Sequence, residues 1–217
     1  DPAFPEKELE VVVESNRQQF LVNSTRVEVI ARKQLHRSLF GEQHPFGRFA
    51  QASDYDRITP DVLREFYRKY YHSGNCSVYV SGKVTPEIIR CIETNLGDTP
   101  WGEIRQMPLL ELIAPQQTTE KHVFVEKADA LQSSLKMGGF MMDRNHPDFL
   151  KARVMVTLFG GYFGSRLMSN IREDKGYTYG IGAGIVNCPG SGVLAITTEA
   201  DNQYVNAIIT EVYREMD

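Results

Sequence analysis

The hydrophobic pattern of this 217-residue chain lapses over residues 98–119. That stretch has no sustained helical or strand period, and it contains three prolines and a polar run: Pro100, Pro108, Pro115 and Gln116-Gln117-Thr118-Thr119. Proline and polar clusters between periodic segments are typical of linkers. We therefore divide the chain into residues 1–100, a linker over 101–119 and residues 120–217. Each periodic part is long enough to bury a core of its own.

Residues 1–100 are predicted to form helices with one strand between them. Thr59-Pro60-Asp61 combines a hydroxyl N-cap, a proline in the first turn and an acid near the positive end of the helix dipole. The helical spacing of three apolar residues then predicts a buried face: Val62, Phe66 and Tyr70. Cys76–Val80 alternates as in a half-buried strand. Thr85-Pro86-Glu87 repeats the helix start, and Gly97 ends that helix.

Residues 120–217 are predicted to contain four strands. The first two cover residues 122–125 and 134–140, and the last two form a hairpin across Pro189-Gly190-Ser191-Gly192. One hairpin strand alternates from Tyr177 to Ile185. Its pattern assigns four residues to one face, Tyr177, Tyr179, Ile181 and Ile185, and four to the other, Thr178, Gly180, Gly182 and Gly184. A glycine face lets another part of the backbone approach closely.

Three helices are predicted between and after these strands. The first starts at Asn145-His146-Pro147-Asp148 with a buried stripe of Leu150, Val154 and Leu158, and the second covers Ser165 to Lys175 before Gly176. The last starts at Asp201 and carries four apolar residues: Tyr204, Val205, Ile208 and Val212. Hairpins with helices gathered elsewhere indicate an α+β fold, with antiparallel sheets and helices packed on one face.

Composition excludes several classes of function. With 24 Lys+Arg against 28 Asp+Glu, the net charge is -4, so no broad basic field is available for nucleic acid. No apolar run reaches the ~20 residues that a membrane helix needs. The N-terminal residues have neither the basic region nor the apolar stretch of an export signal, and the compartment stays open between the bacterial periplasm or envelope and the cytoplasm. The three cysteines are too few and too scattered for a disulfide framework or a CxxC metal site.

The sequence lacks the common catalytic motifs HxxEH, HExxH, GxSxG, the Walker loop and GxGxxG. One pair could still act on a peptide, because Arg172 lies near the end of a predicted helix and Tyr179 near the start of the next strand. A guanidinium and a phenol both donate hydrogen bonds to carbonyl oxygens. The alternative, on the residues alone, is that Arg172 caps carbonyls or pairs with Glu173 or Asp174 while Tyr179 belongs to the core.

Two longer stretches resemble the pitrilysin/insulinase family of zinc metallopeptidases, which includes the mitochondrial processing peptidases. One covers Leu158–Leu167 and continues from Ile171 to Tyr179, similar to the "LGG…SRL…LRE…GL.Y" run of the family's second homologous domain. The other includes His44-Pro45-Phe46-Gly47-Arg48, Ile58-Thr59 and Asn75–Gly82, and looks like the end of the first domain. The resemblance implies two homologous α+β domains, each only partly present, on either side of the linker.

The resemblance also implies a division of labour. Family members hold zinc on an HxxEH helix and a downstream glutamate in the first domain, and bind substrate with an Arg/Tyr pair, matched here by Arg172 and Tyr179. Where the glutamate is expected this sequence has Gln18 or Gln19, and a neutral amide is a poor zinc ligand. We therefore expect no cofactor in this chain, zinc on a homologous HxxEH-bearing partner subunit, and no hydrolysis by this chain alone.

Three functions follow from this reading. The first is a substrate-binding, non-catalytic component of a two-subunit zinc endopeptidase that acts on peptides. The second is a structural or assembly subunit that keeps the fold without a proteolytic role. The third is an active zinc peptidase whose HxxEH helix lies upstream of residue 1.

Overall fold

The computed structural model describes residues 2–103 and 114–217, which fall into two compact units. The described residues of Asp1–Phe20 and Ala50–Glu111 form the first unit, and those of Leu21–Phe49 and Leu112–Asp217 form the second. Residues 104–113 of the predicted linker lie outside the described residues. The division into two homologous domains stays a prediction, since residues 21–49, which we assigned to the first domain, here belong to the second unit.

The first unit is helical. It contains most of α1 (Glu6–Ser24), a 3-10 turn at Ala52–Arg57, α3 (Pro60–Tyr70) and α4 (Pro86–Ile92), which continues as a π-helical turn, Glu93–Gly97. Thr59 caps α3 as expected, because its Oγ1 accepts a hydrogen bond from the backbone N–H of Val62 at 3.2 Å. Both predicted helix starts in this unit are confirmed.

The predicted strand Cys76–Val80 is wrong, as is the buried face of α3. Residues 76–80 pair with no other strand in the part of the chain that the structure describes, and Val62 and Phe66 are exposed. Both errors have the same physical reason. The described part of this unit contains no paired strand, so the unit has no sheet of its own to cover the apolar side of α3. The aromatic rings pack on one another instead, with the ring centroids of Phe66 and Tyr70 4.6 Å apart.

The second unit contains α2 (Val27–Phe40) and an antiparallel sheet of three strands in the order β1-β3-β2. These strands are β1 (Gln132–Met141), β2 (Thr178–Cys188) and β3 (Ser191–Asp201). The pairing of β2 with β3 confirms the predicted hairpin, and the antiparallel sheet with its helices confirms the α+β fold. The predicted strand His122–Val125 is wrong, because that segment has no strand pairing among the described residues.

The main core joins the sheet to the site helix, our name for the π-helical segment Met168–Asp174, and to α6 (Val205–Met216). Its members are the buried residues Phe159, Leu167, Met168, Ile171, Ile181, Ile196, Ala200, Ile208 and Val212. A smaller cluster forms near the end of α2, where Leu39 and Phe40 pack with Val193 and Cys188. Of the four apolar residues predicted for the last helix, Ile208 and Val212 are buried, and Tyr204 and Val205 are half-buried.

The helix α5 (Phe149–Val156) and the π-helical turn Thr157–Gly161 present a different face to the sheet from the one predicted. The predicted stripe of Leu150, Val154 and Leu158 is exposed, whereas Ala152, Val156 and Phe159 are buried. Gly160 accounts for this difference in the buried face. It lies so close to β2 that only a residue without a side chain fits there. None of the helices in the described part of the chain is long and apolar enough to span a membrane.

Candidate functional site

Only three residues separate the site helix from β2, which brings Arg172 close to the start of that strand. Its end is closed by Gly176, whose positive φ of 64° is readily adopted only by glycine. Gly176 N–H donates to the Arg172 carbonyl at 3.1 Å, and Tyr177 N–H donates to the Ile171 carbonyl at 3.1 Å. π-Helical turns are rare and occur frequently at functional sites.

The site helix is fixed on two sides. Leu167, which precedes it, and Ile171 within it are fully buried in the core. On its outer side, Asn170 Nδ2 donates to Glu211 of α6 at 3.1 Å, and Lys175 pairs with the same carboxylate at 3.5 Å. The hydrogen bond from Asn170 lowers the pKa of Glu211, and the positive charges nearby lower it further. Arg172 is therefore on a segment that is held in place.

The start of β2 contains a β-bulge. Thr178 pairs with Ala200 and Ile181 pairs with Thr198, so two residues of β2, Tyr179 and Gly180, lie opposite a single residue of β3. The bulge breaks the alternation of the strand, because Tyr179 is 92% exposed whereas Ile181 is 4% exposed. The prediction that these two residues share one face is therefore wrong, and the extra residue in β2 is the reason.

Arg172 and Tyr179 meet at this bulge through the main chain. Arg172 Nε donates to the carbonyl oxygen of Tyr179 at 2.9 Å. The guanidinium carbon lies 4.6 Å from the ring centroid of Phe163, and Nη1 is 3.7 Å from a carboxylate oxygen of Glu173. Both alternatives that we considered for Arg172, a bond to a main-chain carbonyl and pairing with Glu173, are thus present. Tyr179 is exposed and does not lie in the core, where the alternative placed it.

A polar cavity of about 450 Å³ opens beside Tyr179. Strand residues and the first turn of α2 line it: Glu28, Gln132, Lys136, Tyr179, Gly180, Thr197, Thr198 and Glu199. Burial lowers the pKa of Lys136, and the carboxylates of Glu28 and Glu199 oppose that shift. Lys136 was not among the predicted site residues. Its signal was a charged residue inside the apolar and glycine-rich run Leu135-Lys136-Met137-Gly138-Gly139.

The described residues do not fit a zinc site. Gln18 and Gln19 are exposed on α1, and Gln18 Nε2 donates to Glu14 Oε1 at 2.6 Å. Within residues 2–103 and 114–217 there is no group of three or more His, Cys, Asp or Glu side chains that could hold a metal ion. The histidines near α2 serve packing and hydrogen bonding: His44 stacks on Phe40 at 4.9 Å, and His36 Nδ1 lies 3.0 Å from the Phe46 carbonyl.

Part of this chain is similar in sequence to two named bacterial proteins. A Bacillus subtilis protein named "Uncharacterized zinc protease YmxG" is 26% identical over 136 residues, 63% of this chain and 32% of the relative. The Helicobacter pylori "Non-peptidase homolog YmxG" is 24% identical over 184 residues, 83% of this chain and 41% of the relative. This chain thus spans less than half the length of either relative.

The fold is similar to that of a solved structure, and a family model matches most of the sequence. The crystal structure of a peptidase M16 inactive domain from Pseudomonas fluorescens superposes with a TM-score of 0.82 and 24% identity, over 99% of this chain and 52% of that one. Residues 57–217 match the family model "Peptidase M16 inactive domain", which confirms the resemblance to the pitrilysin/insulinase peptidases. With most of its length matched, this chain belongs to the peptidase M16 inactive-domain family.

Proposed function

We propose that this chain is the substrate-binding, non-catalytic component of a two-subunit zinc metalloendopeptidase, and that Arg172 and Tyr179 bind the peptide. One observation carries the proposal: the phenol of Tyr179 is 92% exposed at a bulge whose carbonyl is hydrogen-bonded to Arg172. In a regularly alternating strand Tyr179, two residues before the buried Ile181, would share the buried face. Its exposure leaves a hydrogen-bond donor free for a ligand.

The chemistry of the pair suits a peptide carbonyl. The Tyr179 O–H can donate one hydrogen bond to an oxygen that gains negative charge, and a guanidinium contributes further donors and a fixed positive charge. In Arg172, Nε is already engaged with the main chain of Tyr179. We propose that its terminal nitrogens act on the substrate, with Glu173 as their partner in the free protein.

The cavity beside Tyr179 supports the same role. Its lining contains a positively charged donor, the ammonium of Lys136, and two negatively charged acceptors, the carboxylates of Glu28 and Glu199. Peptides bind to such surfaces through main-chain amides and carbonyls, which need both kinds of partner. We propose that the part of the peptide next to the group bound by Tyr179 occupies this cavity.

Zinc, in this proposal, is held by a homologous peptidase subunit that carries the HxxEH helix. The described residues of this chain do not supply a ligand set, and the family description designates the matched domain as inactive. We expect this chain alone to hydrolyse no peptide. The contribution of its own residues is to bind and orient the substrate.

The experiment uses the full-length protein with its zinc-bearing partner and a peptide cleavage assay. We expect Arg172→Ala and Tyr179→Phe each to lower kcat by ~10²-fold, the usual cost of removing one oxyanion donor. Arg166→Ala and Tyr79→Phe are matched controls, because Arg166 lies at the start of the same helical stretch and Tyr79 is also 92% exposed. Wild-type kcat and KM in both site variants would disprove the role of the pair.

A structural or assembly subunit is the second candidate, and the name of the Helicobacter pylori relative, a non-peptidase homologue, favours it. The zinc content of the full-length protein and a cleavage assay with its partner distinguish the candidates. Zinc in the full-length protein on its own, together with peptide hydrolysis, would instead support the third function, an active peptidase.

A further inference from the structure

We infer that Thr178 and Thr198 are positioning residues, whose hydroxyl groups hold the bulge that directs the ring of Tyr179 away from the core. The functional part of this inference rests on the proposed function. A β-bulge interrupts the hydrogen bonds between two strands and leaves main-chain groups that need other partners. In this bulge those groups belong to Gly180 of β2 and Glu199 of β3.

The two hydroxyl groups satisfy these main-chain groups. Thr178 Oγ1 donates to the Glu199 carbonyl at 2.6 Å and accepts a hydrogen bond from Gly180 N–H at 3.2 Å. Thr198 Oγ1 donates to the Gly180 carbonyl at 2.9 Å and lies 2.9 Å from Thr178 Oγ1. With Arg172 bound to the Tyr179 carbonyl, side chains occupy the carbonyls of both bulged residues.

Both threonines are buried, at 8% and 4% exposure, so water does not readily replace a missing hydroxyl. A buried carbonyl or N–H without a partner is unfavourable, and a bulge that lost its partners would tend to return to regular pairing. Regular pairing would turn Tyr179 to the face of Ile181, which lies in the core. The hydroxyls therefore control where the phenol points through their hydrogen bonds to the main chain of the bulge.

The first test measures the bulge without reference to activity. In Thr178→Val the Gly180 amide loses its acceptor, and we expect its hydrogen exchange, followed by NMR on the full-length protein, to accelerate at least tenfold. The amide of Leu194, in the pairing of β3 with β1, should keep its rate. An unchanged exchange rate at Gly180 would overturn the inference, whatever the peptidase assay gives.

The second test measures kcat and KM of the full-length protein with its zinc-bearing partner. We expect Thr198→Val to lower kcat/KM about tenfold or more, since displacement of a substrate-binding group by about 1 Å can cost ~10²-fold. Thr198→Ser, which keeps the hydroxyl, should restore activity to within about twofold. Ser165→Ala is the control, because Ser165 is also buried but its hydroxyl has no hydrogen-bond partner among the described residues.

A double variant separates this inference from the proposed function. If Thr198 acts through Tyr179, Thr198→Val should have less than a twofold effect in a Tyr179→Phe background. If Thr198→Val lowers activity in the Tyr179→Phe background as much as in the wild type, the inference is overturned. It is also overturned if Thr198→Val has wild-type activity while Tyr179→Phe is impaired. Wild-type activity of Tyr179→Phe itself would overturn the proposed function, and Gly180 exchange would still decide whether the hydroxyls hold the bulge.

Discussion

Replacement of Gly160 by alanine tests a close contact between a helical turn and the sheet in the second unit. A Cβ at this position would lie 2.6 Å from Ala183 Cβ, 2.7 Å from the Ala183 backbone nitrogen and 3.0 Å from Leu167 Cδ1. Two of these neighbours cannot rotate away, because one is main chain and the other is a Cβ. The helix or β2 would therefore have to move.

The size of the effect follows from two opposing terms. Overpacking a core typically costs 1–3 kcal/mol, and contacts this short with immobile atoms place Gly160→Ala at the upper end, about 3 kcal/mol. Alanine gains about 1 kcal/mol over glycine from its intrinsic preference for the helix interior. The net loss in the free energy of unfolding is about 2 kcal/mol. For a chain of this length that corresponds to a fall in Tm of roughly 4–8 °C.

Thermal and denaturant unfolding of Gly160→Ala should be compared with those of Gly161→Ala. The neighbouring glycine is a matched control, since its added Cβ would meet only the Thr157 side chain, at 3.3 Å. We expect Gly161→Ala to unfold within about 1 kcal/mol of the wild type. A Gly160→Ala protein as stable as the wild type or more stable would refute the packing of this helix against β2.

Two further predictions concern a helix cap and a carboxylate. Thr59→Ala removes the side chain that caps α3, so we expect the free energy of unfolding of the first unit to fall by about 1 kcal/mol, measured by urea denaturation against Thr59→Ser. The folded pKa of Glu211 lies below its usual 4.5, so its ionised form stabilises the fold at neutral pH, and this contribution is lost as the pH falls below that value. Glu211→Gln should therefore show a smaller fall in Tm between neutral and acid pH than the wild type, and an equal fall would contradict the role of this carboxylate.

Local chemistry predicted the elements whose ends are set by a few neighbouring residues. A hydroxyl, a proline and an acid at Thr59-Pro60-Asp61 were enough to place the start of α3, because all three act on the first turn of the same helix. The hairpin across residues 189–192 followed from its turn in the same way, and Gly190 there has a φ of 76°. These features depend on contacts within a few residues.

Features that depend on distant partners were not predictable in this way. Alternation in Cys76–Val80 is compatible with a strand, but a strand needs a partner, and the described residues supply none. The buried face of α5 was assigned to the larger apolar residues, whereas the close approach allowed by Gly160 decided it. The bulge was also missed, because two threonines far apart in sequence, Thr178 and Thr198, stabilise it together.

The position of Tyr179 is informative because regular folding would place it elsewhere. An unbroken alternation would put its ring on the face of Ile181, and burial of a large apolar side chain stabilises a fold by about 1.5–3 kcal/mol. In the bulge the ring of Tyr179 is not buried. Two buried hydroxyls and a guanidinium donate hydrogen bonds to the main chain of the bulge instead, and the ring stays in solvent. Departures from local folding rules are expected mainly where a site requires them. The proposed peptide-binding role requires an accessible phenol at a fixed position, and the bulge provides one.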